Sequence, residues 1–318
     1  MPKITTDNCF TLGIFASKSN QRSSTKNGGF RLFGYIIAGV MTMLSTGCQK
    51  KNVSTTVLEI SDINKVQEIF KNATSDSVVL CDIDDTIITP KSKMFRYNSE
   101  FKNLIDVIKK NRINMPNFDT IIGNWRLNRK AMLVSSLWPS IIADLKTKNI
   151  PIFALTQLDT GKVGPIESME EWRYQELKNL GIEFTYKFNK KENYIIIPSD
   201  QGTSHAVFHK GFFLTGLHSK AQLVKEIISV QKPDHIYFID DRKDHVTAVA
   251  GVAKEASIPY TGIVYKGVEL LDGKPNRLIV TEQKKQLLEN AQWLEDEEIE
   301  EKLSIKTTFI NKFRNSIP

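Results

Sequence analysis

Four short apolar runs restrict the fold of this chain more than any other feature of its sequence. They cover residues 77–81, 150–155, 236–239 and 260–264. Continuous apolar runs of this length, without a polar residue at every second position, are typical of strands covered on both faces of a parallel sheet. Parallel strands need long crossover connections, which are usually helices.

Helical patterns occupy the intervals between these runs. They cover residues 168–180, 219–230 and 242–256, and the first of them ends at Gly181. Alternation of strand and helix predicts an α/β fold with a doubly wound parallel sheet. Ligands of such folds bind at the carboxyl ends of the strands, so functional residues are expected there.

A long basic insertion interrupts the alternation between the first two runs. Residues 91–138 are more than one crossover helix needs, and we predict a helical insertion there. It contains ten Lys and Arg against three Asp and Glu, a net charge of +7. Such a charge above a binding site would attract anionic ligands, but solvated lysines on an amphipathic helix pair explain it equally well.

Two further regions depart from the alternation. Apolar segments at 194–197 and 206–214 predict short strands within the region 183–214. The chain from 280 to 303 has a helical pattern and is acidic around 295–301, which predicts a solvated docking helix. The predicted organisation is a leader over 1–48, a core of residues 49–90 and 139–275, the insertion over 91–138, and a C-terminal helical extension over 276–318.

Composition excludes several classes of protein. With 318 residues, 41% of them apolar, the chain can bury a core, which excludes a disordered or collagen-like chain. Cys9, Cys48 and Cys81 are too few for a disulfide scaffold in a chain of this length. Of the formal net charge of +7, residues 1–48 carry +4. The remaining +3 gives no reason to expect a nucleic-acid partner.

The leader has the layout of an export signal. Two basic residues precede an apolar run over 33–44, shorter than the roughly 20 residues that span a bilayer. A glycine and Cys48 follow. This layout predicts a signal peptide or a bacterial lipoprotein signal, with location in the cell envelope and possible membrane anchoring through a lipidated Cys48. The long start fits a true start downstream of Met1, and the alternative is a disordered tail on a cytoplasmic protein.

The strongest chemical signal follows the first apolar run. Asp82, Asp84 and Asp85 lie within four residues at the predicted strand end. Side chains at i and i+2 share one side of a strand, so Asp82 and Asp84 should reach one point above the sheet. Like charges this close are unfavourable unless a cation offsets them, and a hard divalent cation with oxygen ligands is the simplest choice.

A second acidic pair follows the third apolar run. Asp240 and Asp241 come directly after the predicted strand over 236–239. Two acidic ends on neighbouring strands can face one metal ion from opposite sides. Asp241 has an alternative role as the N-cap of the following helix.

These strand ends and two other positions resemble the four motifs of the haloacid dehalogenase (HAD) superfamily. The motifs are an Asp-x-Asp-x-Thr strand end, a strand ending in Thr or Ser, a lysine near a helix start, and an acidic strand end. The matching residues, in that order, are Asp82, Asp84 and Thr86; Thr156; Lys220; and Asp240 with Asp241. The resemblance covers residues 76–265 and is greatest to a bacterial family of HAD-like proteins of unassigned function; the layout is also similar to that of exported class C acid phosphatases.

The resemblance implies a Rossmann-like HAD core and hydrolysis of phosphomonoesters through an aspartyl-phosphate. Asp82 would be the nucleophile, and Asp84 would protonate the leaving oxygen and then activate water. Thr156 and Lys220 would hold the phosphoryl oxygens. The cofactor would be Mg²⁺, with ligands from Asp82, Asp84 (through its carbonyl), Asp240 and Asp241.

The insertion takes the place of the helical cap of many HAD phosphatases. Trp125 and Arg126 are its predicted contacts with a small phosphorylated substrate. His205 and His209 have a spacing that binds zinc on a helix, but their segment is strand-like, so we predict no metal there. Two other functions stay open, a non-catalytic envelope protein that uses the fold for binding and a phosphoryl transferase such as a mutase.

Overall fold

The computed structural model describes residues 53–202 and 204–314, with side chains described up to residue 305. The predicted leader over 1–48, including Cys48, lies outside these residues. Among the helices that are described, none combines the length and apolar character that a bilayer crossing requires.

The described residues form an α/β fold with ten strands and nine α-helices. The strands are β1 (Thr55–Ile60), β2 (Ser77–Cys81), β3 (Ile88–Pro90), β4 (Ala131–Leu133), β5 (Ile152–Thr156), β6 (Asn193–Ile197), β7 (Ala206–His209), β8 (Phe212–Leu214), β9 (His235–Asp240) and β10 (Tyr260–Tyr265). The helices are α1 (Ile63–Phe70), α2 (Leu104–Lys110), α3 (Phe118–Asn128), α4 (Trp138–Thr147), α5 (Met169–Lys178), α6 (Lys220–Gln231), α7 (Lys243–Glu255), α8 (Arg277–Asn290) and α9 (Asp296–Arg314).

Eight strands form the central sheet, in the order β1-β10-β9-β2-β5-β8-β7-β6. Neighbours from β1 to β8 pair in parallel, whereas β7 is antiparallel to both β8 and β6. The four predicted central strands are therefore adjacent, and the region 183–214 supplies the three strands that extend the sheet beyond β5. The apolar pattern does not predict β1, because this edge strand exposes five of its six residues.

Two hydrophobic clusters cover the two faces of the sheet. Residues of β2 alternate between them, with Val79 and Cys81 in the first cluster and Val78 and Leu80 in the second. Helices α1, α4 and α5 contribute to the first cluster, and α6 and α7 contribute to the second. Because both faces of β2 are buried, its sequence is apolar throughout instead of alternating.

The insertion between β2 and β5 packs against the C-terminal helices. Strands β3 and β4 pair antiparallel and hold its two ends together. A third hydrophobic cluster joins Met94, Phe95 and Trp125 of the insertion to Leu287 and Trp293 of the C-terminal region. The insertion is helical, with α2 and α3 between the two short strands.

The prediction of one solvated docking helix over 280–303 is wrong in part, since the region does dock but is neither a single helix nor fully solvated. The region forms two helices, and Leu287 and Trp293 are buried in the third cluster. At the start of α9, Asp296 accepts a hydrogen bond from Ser92 Oγ at 2.6 Å, which ties this helix to the insertion. Of the acidic run over 295–301, Glu295 is buried before α9 begins and Asp296 is half-buried, whereas the later glutamates are exposed on α9.

Candidate functional site

Asp82 lies directly after β2, at the carboxyl edge of the sheet. Its amide donates to the Ile239 carbonyl at 2.8 Å, which continues the pairing with β9. The chain then turns sharply, because the Ile87 and Ile88 amides both donate to the Ile83 carbonyl, at 2.9 and 3.0 Å. This turn ends the strand and leaves the buried Asp82 side chain at the sheet edge.

Three carboxylates meet at this edge. Strand β9 ends at Asp240, and Asp241 follows it. One carboxylate oxygen from each of Asp82, Asp240 and Asp241 lies within 4.8 Å of the others. Asp82 and Asp240 are buried and Asp241 is half-buried. Oxygen ligands at this spacing suit a hard divalent cation, so these three residues could hold one.

Lys220 lies between two of these carboxylates because a capping box starts α6 at this point. Ser219 Oγ accepts from the Gln222 amide at 3.2 Å, and Gln222 Oε1 accepts from the Ser219 amide at 2.8 Å. The Lys220 ammonium donates to Asp82 Oδ1 and, at 2.6 Å, to Asp240 Oδ2. Only 3% of the lysine side chain is exposed, so a buried cation compensates part of the carboxylate charge.

Burial and neighbouring charges shift the titration of the three carboxyls. Burial raises the pKa of Asp82 to about 7; Lys220 opposes this shift and Asp240 adds to it. Burial, with the charges of Asp82 and Asp240, raises the pKa of Asp241 to about 9. Burial also acts on Asp240, but Lys220 and a hydrogen bond from His245 outweigh it and lower the pKa of Asp240. The cluster therefore holds Asp240 ionised and retains protons on its other two members more readily than free aspartates do.

The Asp84 carboxylate pairs with two arginines instead of joining this cluster. Arg173 Nη2 donates to both of its oxygens, at 2.8 and 3.1 Å, and Arg129 Nη2 lies 3.5 Å from Oδ1. Glu176 accepts from both guanidinium groups, at 2.7 Å from Arg173 and 3.0 Å from Arg129. Burial raises the pKa of Asp84, but the arginines outweigh it and hold this pKa well below its usual range. The ionised form is favoured, whereas the predicted proton-donor role needs the protonated form.

A cavity of about 750 Å³ brings the predicted residues together. Thr156, the buried last residue of β5, lines it with Lys220, and so do Trp125 and Arg126 from α3. Asp240 is fully buried and does not line the cavity, but it contacts Lys220, which does. Residues distant in sequence, from the sheet edge and from the insertion, therefore share one cavity.

Three residues around Asp84 and one beside Asp240 were not identified from the sequence. Arg129, Arg173 and Glu176 approach Asp84 only through tertiary packing, and no local spacing relates them to it. His245 Nδ1 lies 3.1 Å from Asp240 Oδ2. Its place in the first turn of α7, just after an acidic strand end, is a signal that could have identified it.

Comparison with known proteins connects the chain to relatives in Rickettsia. An uncharacterized protein of Rickettsia prowazekii (strain Madrid E) is 32% identical over 236 residues, which cover 73% of this chain and 85% of the relative. An uncharacterized protein of Rickettsia bellii (strain RML369-C) is 27% identical over 180 residues, covering 52% and 61%. No solved structure matches the chain. Residues 59–300 match the model of DUF2608, described as a protein of unknown function, and the chain belongs to this family.

Proposed function

We propose that this protein is a magnesium-dependent phosphomonoesterase with a HAD-like core, and that the insertion over 91–138 acts as its cap. One observation carries the proposal. The carboxylates of Asp82, Asp240 and Asp241 meet within 4.8 Å at the ends of two adjacent parallel strands, and Lys220 bridges two of them. An acidic cluster with a buried lysine is costly for folding alone, which supports a role in binding a metal ion and a phosphoryl group.

The residues present fit a magnesium ion. Asp82, Asp240 and Asp241 would hold it through hard oxygen ligands. When bound, the ion would shield the negative charge of a phosphate ester from the negative charge of the nucleophile. The raised pKa values of Asp82 and Asp241 mean that metal binding would displace protons from the cluster.

In the first step a carboxylate oxygen of Asp82 attacks phosphorus. The new Asp82–phosphorus bond forms as the bond to the ester oxygen breaks, and the departing alkoxide takes up one proton. Lys220 and Thr156 hold the phosphoryl oxygens, over which negative charge spreads in the transition state. In the second step water attacks phosphorus, loses a proton, and releases inorganic phosphate and the Asp82 carboxylate.

The proton transfers are assigned to Asp84. In the free protein its carboxylate is paired with Arg173 and Arg129 and favours the ionised form. A phosphate dianion bound beside it would add a like charge and compete for the guanidinium groups, and both effects raise a carboxyl pKa. Asp84 would then carry the proton that the leaving oxygen needs and accept one from the attacking water.

The same ion pairs favour a second candidate function. An Asp84 that stays paired with Arg173 would not exchange protons, and the protein would then bind phosphate esters without turning them over. This is the non-catalytic binding protein that the sequence leaves open. Turnover separates the two functions.

The test is release of inorganic phosphate from a panel of phosphomonoesters by the purified full chain, with and without Mg²⁺. We expect metal-dependent turnover that Asp82→Asn abolishes. The matched control is Asp234→Asn, an exposed aspartate just before the opposite end of β9, which should retain turnover. Binding of an ester without phosphate release would support the second candidate, and neither binding nor turnover would overturn both.

A further inference from the structure

Arg126 lines the cavity as a buried cation with weak partners. Its residue is 3% exposed on α3. Its contacts among the described residues are Nη2 to Asp159 Oδ2 at 3.4 Å and Nη1 to Met169 Sδ at 3.5 Å. Both contacts are long for a charge-assisted hydrogen bond, and a guanidinium has five N–H donors to satisfy. A buried charge that is this poorly paired is costly unless a ligand completes it.

Two neighbouring side chains in the cavity wall also have no close polar partner within the described part of the chain. Lys109 of α2 lines the cavity, and no carboxylate of the described residues lies within ion-pair distance of its ammonium. Lys109 is exposed as a whole residue. Partial desolvation of its ammonium and the charge of Arg126 lower its pKa, against the opposing charges of Asp84, Asp106 and Asp159. Trp125 also lines the cavity, and its buried Nε1 donor has no acceptor among the residues that the structure describes. Within the described ranges, one part of the wall therefore holds a buried guanidinium with only long contacts, a lysine without an ion pair and an indole N–H without an acceptor.

Two other buried arginines of the cavity differ in this respect. Arg173 and Arg129 are held at 2.7–3.0 Å by Glu176, and both also contact Asp84. Close carboxylates therefore compensate these two guanidinium groups, whereas Arg126 has, among the carboxylates of the described residues, only its long contact with Asp159. A small anion is the simplest group that could compensate Arg126, because the cavity holds about 750 Å³.

We infer that Arg126 and Lys109, with the Trp125 indole N–H, bind a second anionic group of the substrate. The inference rests on the proposed function, in which the phosphoryl group lies at Asp82. The substrate class is then a phosphomonoester that carries a carboxylate or a second phosphate at the other end of a short spacer. Esters with an uncharged tail leave Arg126 with its long contacts to Asp159 and Met169 and are poorer substrates.

The test compares matched esters. The monophosphates of straight-chain ω-hydroxy acids with two to five carbons are each compared with the monophosphate and the bisphosphate of the corresponding diol. We expect the full chain to hydrolyse one of the doubly anionic esters with a kcat/KM at least ten times that of the matched diol monophosphate. Comparing kcat/KM for the hydroxy-acid monophosphates with kcat/KM for the diol bisphosphates shows whether the second anionic group is a carboxylate or a phosphate.

Two variants test which residues cause the preference for doubly anionic esters. Arg126→Gln should reduce it ten- to a hundredfold, which is the scale of one charge-assisted hydrogen bond. Lys109→Gln, at a more exposed position, should reduce it by a smaller factor even if Arg126→Gln fails to fold. The matched control is Lys110→Gln, the next residue of α2, which is exposed and does not line the cavity and should keep the preference.

The outcomes separate this inference from the proposed function. Turnover with equal kcat/KM for charged and uncharged tails, or a preference that survives both cavity variants, overturns the inference and leaves the phosphatase. If no ester is turned over, binding of the same esters to Asp82→Asn decides. If the doubly anionic esters bind more tightly than the matched diol monophosphates, and Lys109→Gln weakens that binding, the anion site is supported without the phosphatase. If the two kinds of ester bind equally well, the anion site is overturned.

Discussion

Replacing Lys220 with methionine tests whether this lysine is the counter-charge of the carboxylate cluster. The substitution keeps an unbranched apolar side chain and removes the ammonium that contacts Asp82 and Asp240. The side chains of both carboxylates are at most 9% exposed, so water cannot replace the lost partner. Breaking a buried ion pair by removing one member costs about 3–5 kcal/mol of unfolding free energy.

This cost should depend on pH. Lys220 lowers the pKa of Asp82, which is about 7 with the lysine present, so the variant raises it further. A carboxyl whose pKa is higher in the folded than in the unfolded state lowers stability as pH rises from the unfolded to the folded value. At pH 6 a proton neutralises most of Asp82 in both proteins. Because the wild-type carboxyl already titrates near pH 7, the loss should be about 1 kcal/mol smaller at pH 6 than at pH 8, at about 1.4 kcal/mol per pKa unit.

The assay is urea denaturation of the wild type and the variant at pH 6 and pH 8, with a chelator or with excess Mg²⁺. Mg²⁺ should recover part of the loss at pH 8, because a bound cation replaces the ammonium. The control is Lys225→Met on the same helix, where the exposed pair with Glu255 predicts less than about 0.5 kcal/mol. A loss that is equal at both pH values and insensitive to Mg²⁺ would show that Lys220 contributes packing instead of charge.

Three further predictions concern the cavity and its support. Without divalent cations, the raised pKa values of Asp82 and Asp241 make the folded protein bind more protons than the unfolded chain. Its Tm should therefore fall from pH 6 to pH 9, and added Mg²⁺ should reduce this fall. Arg173→Gln should cost about 1–3 kcal/mol in urea denaturation, because it removes one of the two guanidinium partners of Glu176 and of Asp84 and leaves only Arg129. Arg242→Gln, whose partner Asp244 is exposed, should cost less than about 0.5 kcal/mol. Trp293→Ala should cost about 3–5 kcal/mol and speed hydrogen exchange in α3 as well as α8, since its ring lies in the cluster that they share.

The sequence was sufficient to predict the four central parallel strands and to predict that the acidic ends of two of them lie close together. Strand β2 has the predicted bounds, because a strand buried on both faces must be apolar at every position. Once β2 and β9 are adjacent and parallel, Asp82 and Asp240 must emerge at the same edge. Lys220 was predicted from the resemblance alone; in the structure a capping box at Ser219 begins α6 directly before it. Regular elements and their ends are encoded locally, so patterns reveal them.

Features that depend on packing between distant segments could not be predicted in this way. The pairing of Asp84 with Arg173 joins residues 89 positions apart, and no periodicity relates them. Strand β1 is exposed and therefore lacks the buried pattern by which the other parallel strands are identified. The packing of Leu287 and Trp293 was not predicted, because acidic residues dominate the composition of the neighbouring stretch. The HAD relationship, the magnesium ion and the phosphatase activity stay predictions.

The link between Ser92 and Asp296 has a mechanical consequence. The insertion is fastened at its root by β3 and β4, and along its length by a shared apolar cluster with the C-terminal helices. We therefore expect the insertion and the C-terminal helices to move together whenever the cavity opens. In a shortened chain that ends before α8, the insertion would lose the apolar surface that supports it, and we would expect the cavity to bind small molecules poorly even with every cluster carboxylate in place.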